Sequence, residues 1–288
     1  MDRRGQPGDD APKMMETPGP TGMSEPLILV QQEVGYRILT LNRPDKLNAL
    51  NEPMLVALHE AIEDAAADET SRALMITGAG RAFCAGQDLV ERVAKPGETM
   101  ELGVGQEKHY NPLVRRLRAL PFPVIAAVNG TAAGAGCNLA LACDIVVAAR
   151  AAKFAQSFAR IGLVPDTGGT WLLPRLVGDA RARGLALLAQ DLPAETAANW
   201  GLIWKCVNDD ALTYEARRIC EHFSVAPTQG LALIKRALDA SPTNTLDAQL
   251  DLERDLQREA GTMPDYQEGV RAFMEKRKPK FTGRKGNS

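Results

Sequence analysis

Apolar and polar positions along this chain follow two rhythms. Four short apolar runs, "YRILTLN" from Tyr36, "RALMITG" from Arg72, "PVIAAVNG" from Pro123 and "DIVVAAR" from Asp144, are bounded by Gly, Asn or charge and predict buried strands. After the first of them, "PMLVALHEAIEDAAADE" places Met54, Leu55, Leu58, Ile62 and Ala65 on one helical face. Pro53 stands near its start, where a missing N–H costs nothing. Strands alternating with helices over residues 25–210 predict an α/β core. Over residues 211–288 the rhythm becomes helical: "ALTYEARRICEHFSV", "GLALIKRALDA", "TLDAQLDLERDLQREAG" and "DYQEGVRAFMEKR" are successive amphipathic segments. Their apolar faces either cover the main sheet or pack on a partner subunit, and the pattern leaves both open.

Composition narrows the class. The chain has 288 residues, 45% of them hydrophobic and 24% charged, as in ordinary globular proteins. A net charge of −2 gives no electrostatic case for a nucleic-acid or membrane partner. No apolar stretch reaches the length of a membrane span. Residues 1–24 are rich in Pro, Gly and charge, lack the apolar middle of a secretory signal, and are expected to be a disordered extension. Five cysteines form no CxxC pair and the three histidines are scattered. That predicts reduced thiols in a cytoplasmic protein, with no metal site.

Two segments share one plan. "LMITGAGRAFCAGQD" and "VIAAVNGTAAGAGCNLALACD" each run from an apolar strand through a Gly-containing turn into tiny residues around Gly86 or Gly134. Small side chains let a backbone approach a ligand and aim its N–H groups at negative charge, and they equally permit tight packing between layers. A dinucleotide fingerprint fails in both, because Leu139 or Phe83 occupies the third small position, so no redox cofactor is expected. A third segment, "IGLVPDTGGTW", sets Asp166 just before a helix. A helix cap explains it, and so does a proton-transferring base. Capping would weaken the base, whereas apolar neighbours Leu163, Val164, Trp171 and Phe158 would strengthen it.

Taken in order, "LNRPDKLNAL", "GRAFCAGQDL", "PVIAAVNGTAAGAGCNLALACDI" and "GLVPDTGGTWLLPRLVG" resemble the crotonase (enoyl-CoA hydratase/isomerase) superfamily. The resemblance implies a spiral of strand–strand–helix repeats with a C-terminal helical lobe that assembles trimers or pairs of trimers. It implies an acyl-CoA thioester ligand and no separate cofactor. Matched position by position, backbone N–H groups of Gln87 and Ala135 form an oxyanion hole and Asp166 is the catalytic acid/base. Ala85, Gly86, Asp88, Tyr110, Gly134, Asn138 and Phe158 would line the acyl site; Lys46, Lys278 and Phe281 would touch the coenzyme A nucleotide. Asp88 is equally explained as a local structural bond. The two glutamates of hydratases are matched by Asn138 and Phe158, which cannot act as carboxylate bases. "YNPLVRRL" and "NTLDAQLDLERDLQREAG" look most like the branch that isomerises the ring epoxide of phenylacetyl-CoA in phenylacetate catabolism. A Δ3,Δ2-enoyl-CoA isomerase is the alternative, followed by a hydratase, an aspartate-nucleophile hydrolase or dehalogenase, and a non-catalytic CoA-binding protein.

Overall fold

The four apolar runs become neighbours in one sheet. The computed structural model describes residues 25–92 and 101–283; the expected extension over residues 1–24 lies outside them. In chain order the strands are β1 (Ile28–Glu33), β2 (Tyr36–Leu41), β3 (Leu74–Gly78), β4 (Ala82–Cys84) and β5 (Val124–Val128). Then come β6 (Thr131–Ala133), β7 (Ile145–Ala149), β8 (Lys153–Ala155), β9 (Asp191–Pro193) and β10 (Lys205–Val207). The larger sheet has the order β1-β2-β3-β5-β7-β10 and the smaller one β4-β6-β8-β9. β1 and β2 are antiparallel; from β2 to β10 every pairing in the larger sheet is parallel. Central β5 is buried at every position, as expected of a parallel strand covered on both faces.

A repeat is visible in this order. The pairs β3/β4, β5/β6 and β7/β8 each give their first strand to the larger sheet and their second to the smaller one. Each pair then leads into helical backbone, which is the strand–strand–helix spiral expected of the crotonase fold.

Helix α1 (Glu52–Ala67) starts where the Asn51 side chain accepts the N–H of Met54 at 3.1 Å. It buries Met54, Leu55, Leu58, Ala61, Ile62 and Ala65, the face read from the spacing with Ala61 added. Its larger apolar side chains each contribute about 1.5–3 kcal/mol of burial free energy. Next come α2 (Leu102–Gly105), a π-helical turn at Gln106–Tyr110, and α3 (Asn111–Ala119). α4 (Ala135–Leu141) is buried along its whole length, and α5 (Gly169–Leu188) breaks at Gly178, where φ is 77°. α6 (Ala194–Asn199) and α7 (Leu212–Ser224) follow.

Of the four helical segments near the C-terminus, the first covers the sheet. Leu212, Ala216, Ile219 and Cys220 of α7 join the main core. α8 (Thr228–Ala240), α9 (Leu246–Gly261) and α10 (Pro264–Met274) form the projecting lobe. Lys235 of α8 ties it to the core, reaching the Phe122 carbonyl at 3.1 Å and Asp144 Oδ2 at 2.7 Å. Ile234, Leu238, Leu250, Tyr266, Val270 and Phe273 leave the lobe with an exposed apolar face. Beyond α10 the chain runs back over the lobe: Asp265 accepts the backbone N–H groups of Thr282 (2.7 Å) and Gly283 (2.9 Å), and Arg72 donates to the carbonyls of Phe281 and Thr282. Among the described residues no helix is long and apolar enough to cross a membrane.

Candidate active site

Because β4, β6 and β8 lie side by side in parallel, the turns that follow them emerge at one edge. These turns hold Ala85–Asp88, Gly134–Ala135 and Gln156–Phe158. Gly86 has φ +97°, and a Cβ there would lie 2.7 Å from the Ala133 carbonyl oxygen and 3.4 Å from the Ala135 nitrogen. Only glycine fits both the conformation and the space. Tight packing also holds at Gly136, whose Cβ would lie 2.4 Å from the Cys84 oxygen. Both glycines thus meet the tight-packing reading, Gly86 against the end of β6 and the turn after it, Gly136 against the end of β4.

The main chain directs its amides accordingly. Gly86 accepts the N–H of Leu50 at 2.7 Å, and Asp88 donates to the Leu50 carbonyl at 2.9 Å. In the trans peptide between Gly86 and Gln87, the Gln87 N–H consequently points away from Leu50. Ala135 opens α4, where N–H groups have no intrahelical acceptor. Phe158 is buried, its ring 3.8 Å from where a Gly134 Cβ would stand.

Asp166 lies in the loop before α5, half-buried. The cap reading fails for its side chain: the N-cap of α5 is Gly168, and the Asp166 main-chain oxygen, not the carboxylate, accepts the Gly169 N–H at 2.8 Å. The carboxylate instead receives the Thr167 hydroxyl on Oδ1 at 2.8 Å and the Gln106 amide on Oδ2 at 2.5 Å. Thr167 is buried at φ 52°, a left-handed backbone that a β-branched residue adopts only under strain. The apolar surroundings expected from neighbouring side chains are not all there. Val164 is 77% exposed, and Trp171 lies under the guanidinium of Arg175, 4.1 Å from its ring centre.

The other predicted residues divide. Lys46 is exposed in a turn whose next residue, Leu47, accepts the Ala85 N–H at 2.9 Å, so it stands beside the Gly86 turn. Asp88 takes its structural role, paired with Arg43 at 3.0 Å. Asn138 is fully buried and spent within the protein: its amide donates to the Asp166 carbonyl at 2.7 Å and accepts from Gln156 at 2.7 Å. Tyr110 is buried in the main core. Phe281 packs against Gly269 of its own lobe, and Lys278 is exposed on the same tail, so one chain does not bring this pair to the Gly86 turn. Burial pushes the thiols of Cys84 and Cys137 up to about 12, which suits small apolar fillers and not nucleophiles.

Comparison with known proteins draws on the same span. The enoyl-CoA hydratase/isomerase family model matches residues 31–284. The chain belongs to this family. In Escherichia coli, 1,2-epoxyphenylacetyl-CoA isomerase is 56% identical over 258 residues, covering 89% of this chain and 98% of that enzyme. A probable enoyl-CoA hydratase of Rhodobacter capsulatus is 48% identical over 262 residues, 91% of this chain and 100% of the relative. The crystal structure of enoyl-CoA hydratase from Bacillus anthracis superposes with a TM-score of 0.84 at 31% identity, over 90% of this chain and all of that one. The protein is therefore an enzyme of the crotonase family, whose members include both acyl-CoA isomerases and hydratases.

Some residues of this family member escape sequence reading. Gln106 lies in no motif, and Thr167 sits inside "VPDTGGTW" without a role of its own that the motif announces. Gln156, 2% exposed, braces Asn138. Asn48, fully buried at φ 56°, donates to the Ala79 and Ala82 carbonyls and so supports the turn before β4. A polar Asn between Leu47 and Ala49 was the one available signal, since Asn tolerates the left-handed region.

Proposed function

We propose that this enzyme isomerises an acyl-CoA thioester, with 2-(1,2-epoxy-1,2-dihydrophenyl)acetyl-CoA as substrate and the oxepin thioester as product. One observation carries the choice of isomerase over hydratase. Asp166 offers a carboxylate in the loop before α5, while the positions matched to the hydratase glutamates hold Asn138, locked between Gln156 and Asp166, and the buried ring of Phe158. No carboxylate pair stands ready for water addition there. The identity to an epoxyphenylacetyl-CoA isomerase over nearly its whole length supports the aromatic substrate.

In this reading Asp166 takes a proton beside the thioester, and the electron pair moves onto the thioester oxygen. The N–H groups of Gln87 and Ala135 stabilise that oxygen. Losing one such donor typically costs about 3 kcal/mol in the barrier. The proton returns at another carbon. Coenzyme A enters as part of the substrate, and further copies of the chain, in a trimer or a pair of trimers, cover the lobe's apolar face.

A side-by-side assay of the epoxide thioester and a 3-enoyl-CoA tests the assignment. Efficient turnover of the epoxide is expected; negligible epoxide conversion with rapid 3-enoyl isomerisation would move it to a straight-chain isomerase. Asp166→Asn should lower kcat by a hundredfold or more, on the order of a positioned base's contribution, with acyl-CoA binding retained.

A further inference from the structure

We propose that Gln106 is the positioning residue for Asp166, fixing which way the carboxylate faces and how readily it holds a proton. This rests on Asp166 acting as the acid/base. Gln106 lies sixty residues away in sequence, at the start of the π-helical turn Gln106–Tyr110, a geometry that recurs at functional sites. Its Nε2 donates to Asp166 Oδ2 at 2.5 Å. Its Oε1 is buried and meets no donor among the described residues.

Gln156 shares that imbalance, since its Oε1 is also buried without a donor among the described residues while it braces Asn138. What sets Gln106 apart is that its donor is given to the Asp166 carboxylate itself. Asn138 uses both ends of its amide in the protein. Gln106 commits one end to a single carboxylate and leaves the other unmet. With Thr167 on Oδ1, Gln106 sets both oxygens of the carboxylate in fixed directions. A hydrogen bond given to the charged form favours that form, so Gln106 eases release of the proton Asp166 has accepted. When Asp166 carries the proton, a half-turn of the amide presents Oε1 to the acid O–H. Gln106 itself gains and loses no proton in either step.

Several charged groups on the surrounding described elements are engaged elsewhere. On the turn of Gln106, Lys108 and His109 both reach Glu52, at 2.8 and 3.1 Å, and Glu107 is exposed. On α3, Arg118 pairs with Asp239, and Arg115 faces the groove that Trp171 also lines. On α5, Arg175 donates to the Trp171 carbonyl at 2.9 Å.

The test compares wild type with Gln106→Met, which keeps the volume and removes the donor, and with Gln106→Glu, which sets a second carboxylate against the first. Turnover of the epoxide thioester and of 3-hexenoyl-CoA is followed from pH 4 to 9 in the full chain. Gln106→Met should lower kcat on the order of tenfold or more, change KM by less than about threefold, and move the acidic limb of the rate profile up by about one pH unit. Gln106→Glu should move that limb further upward. An unmoved limb in both variants, with or without lost activity, would overturn the proposal and leave Gln106 a packing residue. Asp166→Asn, assayed in parallel, separates the two readings: if it turns over normally, the acid/base assignment has failed; if it is inactive while both Gln106 variants keep the wild-type limb, only the Gln106 inference has.

Discussion

Asn138 shows how one buried amide can set where Asp166, the proposed acid/base, stands. Its amide joins the buried Gln156 to the carbonyl of Asp166, so the loop that presents the carboxylate is pinned from beneath. Asn138→Leu keeps the bulk and removes both bonds. It should destabilise the protein by about 1–3 kcal/mol, read as a lower urea midpoint, and reduce isomerase kcat at temperatures where the fold persists. Gly86→Ala meets a different obstacle, a left-handed backbone together with contact on the Ala133 oxygen. The backbone strain alone costs roughly 1–3 kcal/mol, and displacement of the adjoining amides should lower kcat beyond what the unfolding midpoint explains. Gly86, Ala135 and Asp166 stand out in the sequence because runs of tiny residues and a lone acid in an apolar segment are visible there. Thr167 and Gln106 do not, because a threonine in the left-handed region and a glutamine in a π turn are fixed by tertiary contacts that no local preference announces.

At the scale of elements, period and length separate what the chain declares from what it conceals. The strands β2, β3, β5 and β7 and the buried face of α1 follow from apolar runs and helical spacing. β4, β6, β8 and β9 have three residues each, too few to show an alternation, yet the first three carry the turns of the candidate site. α7 reads like its lobe neighbours and differs only in what it meets. Its Glu215 accepts from Arg218 and from Lys205 of β10, each at 2.9 Å, which holds the carboxyl at about 2, below its ordinary 4.5. A depressed folded value means stability fully present above pH 4.5 and lost as pH falls toward 2. Glu215→Gln should flatten the fall in unfolding free energy across that window, measured by denaturant titration at successive pH values. An identical slope in the variant would show that the α7–β10 tie contributes nothing.

The whole molecule presents an apolar lobe with no core of its own to hide it. Ile234 and Phe273 are 56% and 82% exposed, on α8 and α10. Large exposed patches of this kind mark association surfaces. In sedimentation velocity the wild type should run as a multiple of the 31.1 kDa chain, and the double variant Ile234→Glu, Phe273→Glu as a single chain. Wild type at single-chain mass would refute self-association. This surface was legible only as helical amphipathicity, since the pattern does not say whether sheet or subunit receives a face.

The tail that closes over the lobe bears on how the protein tolerates cutting and fusion. Asp265 is 4% exposed and answers to donors from Thr282 and Gly283, while Arg72, rooted beside β3, grips the carbonyls before them. A gene shortened to end at Lys280 would strand the buried Asp265 carboxylate and leave Arg72 only the Ser224 carbonyl, loosening α10 from the sheet. A partner protein joined beyond Gly283 spares the groups that form this clasp, whereas one joined before Phe281 removes them.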